Sequence, residues 1–252
     1  MTEVTTYNDG KVLRGEVDVV REFPLVLRVN DREIVTLVAS PHDLRFLVAG
    51  FLRLQGFVSR ADDFLVLSVC NDYGIANVRI KGEVPQELKP VLTSGCGTGI
   101  TFSLPQAGGK LPAAVREQVP VAAIFELMKQ LALCSTKYKS HGGVHSAAVG
   151  DAAGRLLLHA EDIGRHNTVD RLAGEALLRE MPLSGTTMAT SGRVSAEMAT
   201  KAAQLGVAVI VSRTSPTDMA IRICEEAGIT LVGYLRGTRF TAYTHQEYIL
   251  FP

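Results

Sequence analysis

The sequence predicts an α/β protein in two parts, and three observations carry that expectation. The C-terminal half alternates short apolar strands with amphipathic helices, a pattern that builds a parallel, helix-covered sheet. The N-terminal part alternates apolar and polar residues with a period of two around a single helix, as a mostly antiparallel α+β unit does. Between them, residues 82–120 are broken by glycine and proline. The expected division is a smaller N-terminal domain over 1–115, ending in a flexible loop, and an α/β domain over 116–252.

In chain order, strand texture runs from residue 17 through VDVVREFPLVLRVNDREIVTLVAS, turning at Asn30-Asp31. SPHDLRFLVAGFLRLQGFV reads as a helix with Ser40 as N-cap and Pro41 at its first position. Its apolar stripe is Leu44, Leu47, Val48, Phe51 and Leu52. FLVLSV and ANVRIK flank Asn71-Asp72-Tyr73-Gly74 as a hairpin. After the irregular middle, VAAIFELMKQLAL (121–133) is a helix with Ile124, Phe125, Met128 and Leu131 on one face. HSAAVG and RLLLHAE are a pair of short strands, and a helix follows from about 163 to 179. The rest reads strand TTMATS, helix VSAEMATKAAQL, strand VAVIVS, helix PTDMAIRICEEAG, strand TLVGYL.

Composition excludes several function classes. Basic and acidic side chains number 26 each, so the chain lacks the cationic excess of a general nucleic-acid binder. Apolar residues make up 46%, enough for a packed core. Runs such as VAVIV are far too short to span a bilayer, and the first residues lack the apolar segment of a secretory signal. A cytoplasmic protein without a membrane partner is expected. The four cysteines, Cys70, Cys96, Cys134 and Cys224, are scattered, as neither a disulfide scaffold nor a CxxC zinc site would have them.

Three features bear on chemistry. First, three strand ends carry small polar residues and arginine: Thr190-Ser191-Gly192-Arg193, Ser212 to Asp218, and Tyr234 to Arg239. Ser215 and Asp218 have capping-box spacing, with Pro216 at the first helical position. Ligands of open α/β sheets bind at such ends, where free N–H groups and arginine favour phosphate. The bland alternative is ordinary loop arginines and ordinary caps. Second, Asp162, His166 and Asp170 fall at i, i+4 and i+8 if a helix begins near Asp162, which would then be its N-cap. This stripe either orients a base or binds a polar ligand, or else it is a capped, solvated helix start with an ion-pair network. His141-Gly-Gly-Val-His145 reads as a turn into a strand, with zinc disfavoured for want of a third ligand. Third, Cys96 lies between Gly95 and Gly97, outside any apolar face, where its sulfur is sterically open. The other three cysteines fall in strands or helices and read as core.

These residues also carry a resemblance. Glu22-Phe-Pro24-Leu25, Pro41-His-Asp43-Leu44, TSGCGTG, HGGVHSAA, EDIGRHNTVDRLAG, SGRVSAEMATKA, SPTDMAI and GITLVGYLRG stand in an order that resembles the formate dehydrogenase accessory sulfurtransferase family, FdhD. The resemblance runs from about residue 20 to the C-terminus. It implies a cytidine-deaminase-like C-terminal domain without the deaminase zinc ligands. It implies that Cys96 accepts persulfide sulfur from a cysteine desulfurase. The sulfur then passes to the molybdenum bis(molybdopterin guanine dinucleotide) cofactor destined for formate dehydrogenase. By the same likeness a homodimer is expected, and the cofactor stretch falls on Tyr234, Leu235, Arg236, Gly237, Thr238 and Arg239. Arg193, Ser191, His166 and Arg165 complete the candidate cofactor site, with no metal ligand of the chain's own. The family loop usually reads CGxC, and here its second cysteine is Gly99. The alternative function is therefore a cofactor-binding chaperone without sulfur transfer. A deaminase-like hydrolase is disfavoured, because the metal ligands are missing.

Overall fold

The computed structural model describes residues 1–85, 91–92, 100–101 and 118–252. The chain opens with a hairpin, β1 (Thr2–Asn8) and β2 (Lys11–Val17), turning at Asp9-Gly10 with both residues at positive φ. The sequence reading missed it, because strand texture became regular only from residue 17. Its side chains are almost all exposed on both faces, so no burial pattern was there to find.

A four-stranded sheet follows, in the order β4-β3-β6-β5. Its strands are β3 (Phe23–Val29), β4 (Arg32–Ala39), β5 (Phe64–Cys70) and β6 (Ile75–Ile80). Both expected hairpins are present. Asn30 and Asp31 turn the first at φ 48° and 66°, the left-handed geometry that Asn and Asp tolerate best among side-chain-bearing residues. The Asn30 side chain also accepts from the Ile80 N–H at 2.9 Å and donates to the Gly82 carbonyl at 3.0 Å. The central pairing, β3 with β6, is parallel, which the alternation alone could not specify.

Helix α1 (Leu44–Leu54) covers this sheet with the predicted stripe, Leu44, Leu47, Val48, Phe51 and Leu52, all buried. It starts later than expected. Asp43 stands at the N-cap position with φ 45°, and Ser40 and Pro41 lie in the preceding bend. Ser40 has been recruited elsewhere. Its N–H donates to Asp162 Oδ2 (3.1 Å), its hydroxyl accepts from the Ile163 N–H (3.2 Å), and its carbonyl accepts from Arg171 Nη2 (2.8 Å). A long-range partner displaced the local cap.

Short strands β7 (Val91–Leu92), β8 (Ile100–Thr101) and β9 (Val119–Pro120) lead to helices α2 (Val121–Cys134) and α3 (Thr136–His141). Then comes a six-stranded sheet in the order β11-β10-β12-β13-β14-β15. It is built from β10 (His145–Gly150), β11 (Leu156–Asp162), β12 (Thr187–Thr190), β13 (Val209–Ser212), β14 (Thr230–Arg236) and β15 (Arg239–Thr244). The interleaved helices are α4 (Arg165–Leu178), α5 (Ala196–Gln204) and α6 (Asp218–Ala227). As the alternation predicted, β12, β13 and β14 are parallel, and β10 and β11 form an antiparallel pair beside them. One apolar cluster packs α4, α5 and α6 on one face, and another packs α2 on the other. A final strand, β16 (Ile249–Leu250), pairs with β9.

The halves are joined by α1 crossing α4 at glycine. A β-carbon on Gly50 would fall on the Asp170 carbonyl oxygen, and one on Gly174 would fall on that of Phe46. Only hydrogen at both positions lets the backbones approach this closely.

Two further local expectations are corrected. Helix α4 begins at Arg165 with Gly164 as its N-cap, so Asp162 closes β11 and is not a cap. Helix α6 is capped by Thr217, whose hydroxyl accepts from the Ala220 N–H (3.3 Å). Ser215 and Pro216 belong instead to a bridge with Val194.

Candidate functional site

The sheet topology collects one edge. Strands β12, β13 and β14 end there because they are parallel, and β10 begins there because it runs opposite to β12. The β11 end arrives too, since His145 pairs with Asp162. The loops leaving this edge are stitched together. Ser191 donates its N–H to the Ser146 carbonyl (2.9 Å), and its hydroxyl accepts from the Ser146 N–H (3.0 Å). Arg213 N–H donates to the Thr190 carbonyl at 3.2 Å, and Tyr234 N–H to that of Thr214 at 3.0 Å. Ser212 Oγ donates to the Gly192 carbonyl (2.8 Å) and accepts from the Thr214 N–H (3.0 Å).

An open cleft of about 530 Å³ lies over this edge, walled by Ser191, Arg213, Thr214 and Arg236 at the ends of β12, β13 and β14, by His145 at the start of β10 and by Tyr138 of α3. Arg236 Nε donates to the Arg213 backbone carbonyl at 3.3 Å, which ties the β14 end to the loop after β13, and both residues line the cleft. Burial and the Arg165 charge hold His145 below the usual imidazole range, so it meets a ligand as a neutral ring. A smaller, mostly apolar recess of about 130 Å³ adjoins through Tyr138, Ser191 and Arg213, and is floored by Met128, Leu131 and Ala132. A cationic cleft beside a small apolar recess has the chemistry to take a phosphate-bearing molecule with an apolar group attached.

The candidate residues divide by position. Ser191 and Arg236 line the cleft. Tyr234 is exposed at φ 52°, Gly237 turns the β14–β15 hairpin at φ 58°, and Thr238 and Arg239 are exposed in the same turn. Leu235 is different: its side chain is buried in the cluster under α2 and does not face the cleft. Arg193 is exposed in the loop between β12 and α5. Arg165 and His166 are buried behind the edge, with Arg165 packed against Gly192. The candidate set left out Arg213, although its loop was among those recognised, and His145, which had been weighed only as a metal ligand. Their common signal is the topological one, that both sit where a strand of this sheet meets the same edge.

The Asp162, His166 and Asp170 stripe turns inward. Asp162 is fully buried and accepts from Arg171 (2.6 and 2.9 Å), Asn167 Nδ2 (2.8 Å) and the Gly164 N–H (2.9 Å). Arg171 also donates to the His42 and Ser40 carbonyls. Asp170 pairs with Lys201 at 2.9 Å, and Lys201 with Glu197 at 3.2 Å. The carboxylates of Asp170 and Glu197 outweigh burial and raise the Lys201 ammonium's pKa, keeping it charged. His166 Nε2 meets Ser195 Oγ at 3.2 Å and Glu197 Oε2 at 3.3 Å, and bonds to neither aspartate of the stripe. Burial pushes His166 down to about 4. The ion-pair network is present, but it is an interior joint: the stripe is buried where a solvated helix start was the alternative.

Cys96 lies outside the described residues, as does the rest of TSGCGTG. Of the other three cysteines, expected in the core, two are placed differently. Cys224 is core, and burial pushes its thiol up to about 12. Cys70 is half-buried, and Cys134 is exposed at the end of α2. Among the described residues no three His, Cys, Asp or Glu side chains are grouped to hold a metal ion.

A parallel strand core covered by helices, with arginines at the carboxyl ends of its strands around one cleft, defines an α/β protein. More particularly, the chain belongs to the FdhD/NarQ family, whose model matches residues 20–250. A sulfur carrier protein FdhD of Bacillus pumilus is 36% identical, over 96% of this chain and 94% of that one. That of Bacillus subtilis is 35% identical, over 98% and 96%. A crystal structure assigned as a formate dehydrogenase accessory protein, from Desulfotalea psychrophila, superimposes with a TM-score of 0.83 at 27% identity, covering 99% of this chain and 98% of that one. Among the described residues no helix is long and apolar enough to cross a membrane.

Proposed function

We propose that this chain is a sulfur carrier for formate dehydrogenase maturation, whose cargo is the molybdenum bis(molybdopterin guanine dinucleotide) cofactor. The observation that carries the reading is the convergence of Arg213 and Arg236 with Ser191 on one strand-end cleft. Guanidinium groups there oppose the pyrophosphate, and the adjoining apolar recess suits an attached apolar group. Tyr234, Gly237, Thr238 and Arg239 extend the rim, and Arg193 approaches from the next loop. Arg165 and His166 act from below by holding the floor. The deaminase-like character of the C-terminal half, the cytoplasmic setting and a homodimer belong to the same reading.

Cys96 takes the outer sulfur of a cysteine desulfurase persulfide and hands it to the cargo. With Gly99 in place of a second loop cysteine, a neighbouring thiolate cannot release that sulfur by forming a local disulfide. Release then falls to a nucleophile on the cargo or to an external thiol. Gly99 also favours a second reading, a cofactor chaperone without sulfur chemistry.

Complementation of a strain lacking this factor separates the two. The native chain and Gly99→Cys should restore formate dehydrogenase activity, and Cys96→Ala should not. Full activity with Cys96→Ala would establish the chaperone reading instead. Guanosine diphosphate binding by calorimetry tests the cleft alone.

A further inference from the structure

A second cleft, of about 360 Å³, lies on the other side of α3 from the strand-end cleft. Its walls come from four elements: the bend before α1 (His42, Asp43), the end of α2 and start of α3 (Cys134, Lys137), β11 (His159, Glu161) and α4 (Arg171, Arg179). The cargo reading uses none of them.

Most of the charges in these walls are already committed. Glu161 accepts the N–H groups of Lys137 (3.1 Å) and Tyr138 (2.9 Å). Arg171 is bound to Asp162, and Arg179 to Glu175 at 2.8 Å. Three groups remain. Cys134 presents an exposed, free thiol. The Lys137 ammonium has no ion-pair partner among the described residues, yet its charge reaches His42. His42 Nδ1 lies 3.0 Å from Asp43 Oδ2, while its Nε2 is buried with no hydrogen-bond partner, as is that of His159. Burial, with the Arg171 charge, holds His42 below the usual imidazole range. With Nδ1–H donating to Asp43, a neutral ring leaves its lone pair on Nε2. A thiol, an oriented base and an uncommitted cation on one cleft are the parts of an activated sulfur nucleophile.

We propose that Cys134 is a second sulfur-accepting thiol, in a cleft that takes the terminal sulfur of a small or protein-borne persulfide. The inference rests on the sulfur-carrier reading and extends it to a residue outside the glycine-rich loop. The Cys134 thiol gives its proton to His42 and attacks the outer sulfur of the donor persulfide. A bond forms between Sγ and that sulfur, and the donor's S–S bond breaks. Its electron pair leaves on the inner sulfur, which takes the proton from His42 and departs as a thiol. Sulfane sulfur moves with no net oxidation, and Lys137 balances the new persulfide anion. In this structure the thiol and the imidazole share the cleft without a hydrogen bond between them, as uncomplexed catalytic pairs often do.

The test is persulfide loading of the full chain with glutathione persulfide, read by peptide mass. The expected result is one added sulfur on the Cys134 peptide in the Cys96→Ala chain, absent in the Cys96→Ala, Cys134→Ser chain. Lys137→Gln and His42→Gln should each slow alkylation of Cys134 by roughly tenfold at neutral pH. Alkylation of Cys70 serves as the internal control for folding and should not change. Sulfur on Cys96 in the Cys134→Ser chain, with none on Cys134 in the Cys96→Ala chain, would overturn this inference and leave the sulfur-carrier reading standing. No sulfur on either cysteine would overturn both. Loading of Cys134 with alkylation unaffected by either cleft substitution would overturn the role of the cleft.

Discussion

The strand-end cleft and the Asp162–Asp170 joint look alike as sequence and opposite as structure. Both are dense in charged and small polar residues, and both sit where strands of the six-stranded sheet end. At the joint Asp162, His166, Asp170, Arg171, Glu197 and Lys201 are all buried and paired with one another, so their charges are spent within the chain. At the cleft, Arg236 is exposed and its partner is a backbone carbonyl, which leaves its charge available. Polar density therefore marks a place where something must be held, while exposure decides whether that is the chain itself or a ligand.

Substitutions should separate the two regions sharply, and the joint should respond most. Asp162→Ala strands the buried Arg171 guanidinium and should cost about 3–5 kcal/mol of folding stability, measured by chemical denaturation. If the loss were under about 1 kcal/mol, the joint would be no more than a surface ion pair. Gly50→Ala drives a methyl into the Asp170 carbonyl across the α1–α4 crossing, with an expected cost of about 1–3 kcal/mol. At the cleft, Arg236→Ala should leave the melting temperature unchanged and weaken guanosine diphosphate binding by roughly tenfold, the worth of one charge-assisted hydrogen bond. An equal loss of stability would place Arg236 with the joint.

Within the joint, His166 should contribute a component of stability that is lost in acid, opposed by Asp170, whose carboxyl is raised by burial to about 6. His166 titrates near 4 in the folded chain and near 6.5 unfolded, so the unfolded state binds the extra proton between those values. Its contribution is present above pH 6.5 and is lost as the pH falls toward 4, by up to about 3 kcal/mol. His166→Gln should remove that component from the stability profile, and an unchanged slope would assign the acid response to another group. The smallest effect is expected at the exposed β1–β2 hairpin. Removing residues 2–17 should change stability by less than about 0.5 kcal/mol, because almost nothing there is buried.

Much of this fold could be read from the chain because its helices and central strands carry strong periodicity. The α1 stripe and the parallel run from β12 to β14 follow from residue spacing alone. The helix starts did not, for one physical reason. Ser40 and Asp162 are good local caps, but their side chains are taken by partners elsewhere in the chain, and Ser215 lies in the backbone bridge to Val194. Within the site, the arginine-bearing loops were recognised one by one. What brought His145 to the same edge was an antiparallel pairing that no local pattern encodes. Cys134 was misplaced as core because an apolar helix precedes it, and the helix ends just as the cysteine reaches the surface.

Glu161 has a consequence for anyone dissecting this protein by mutagenesis. Its carboxylate holds α3 by two successive backbone amides, and α3 is the partition between the two clefts, with Lys137 facing one and Tyr138 the other. A substitution at Glu161 will disturb both compartments at once, so its phenotype cannot be credited to either. Arg236 and Cys134 each report on a single compartment, and a double-mutant cycle between them, run in chains with Glu161 intact, measures whether the two sides communicate.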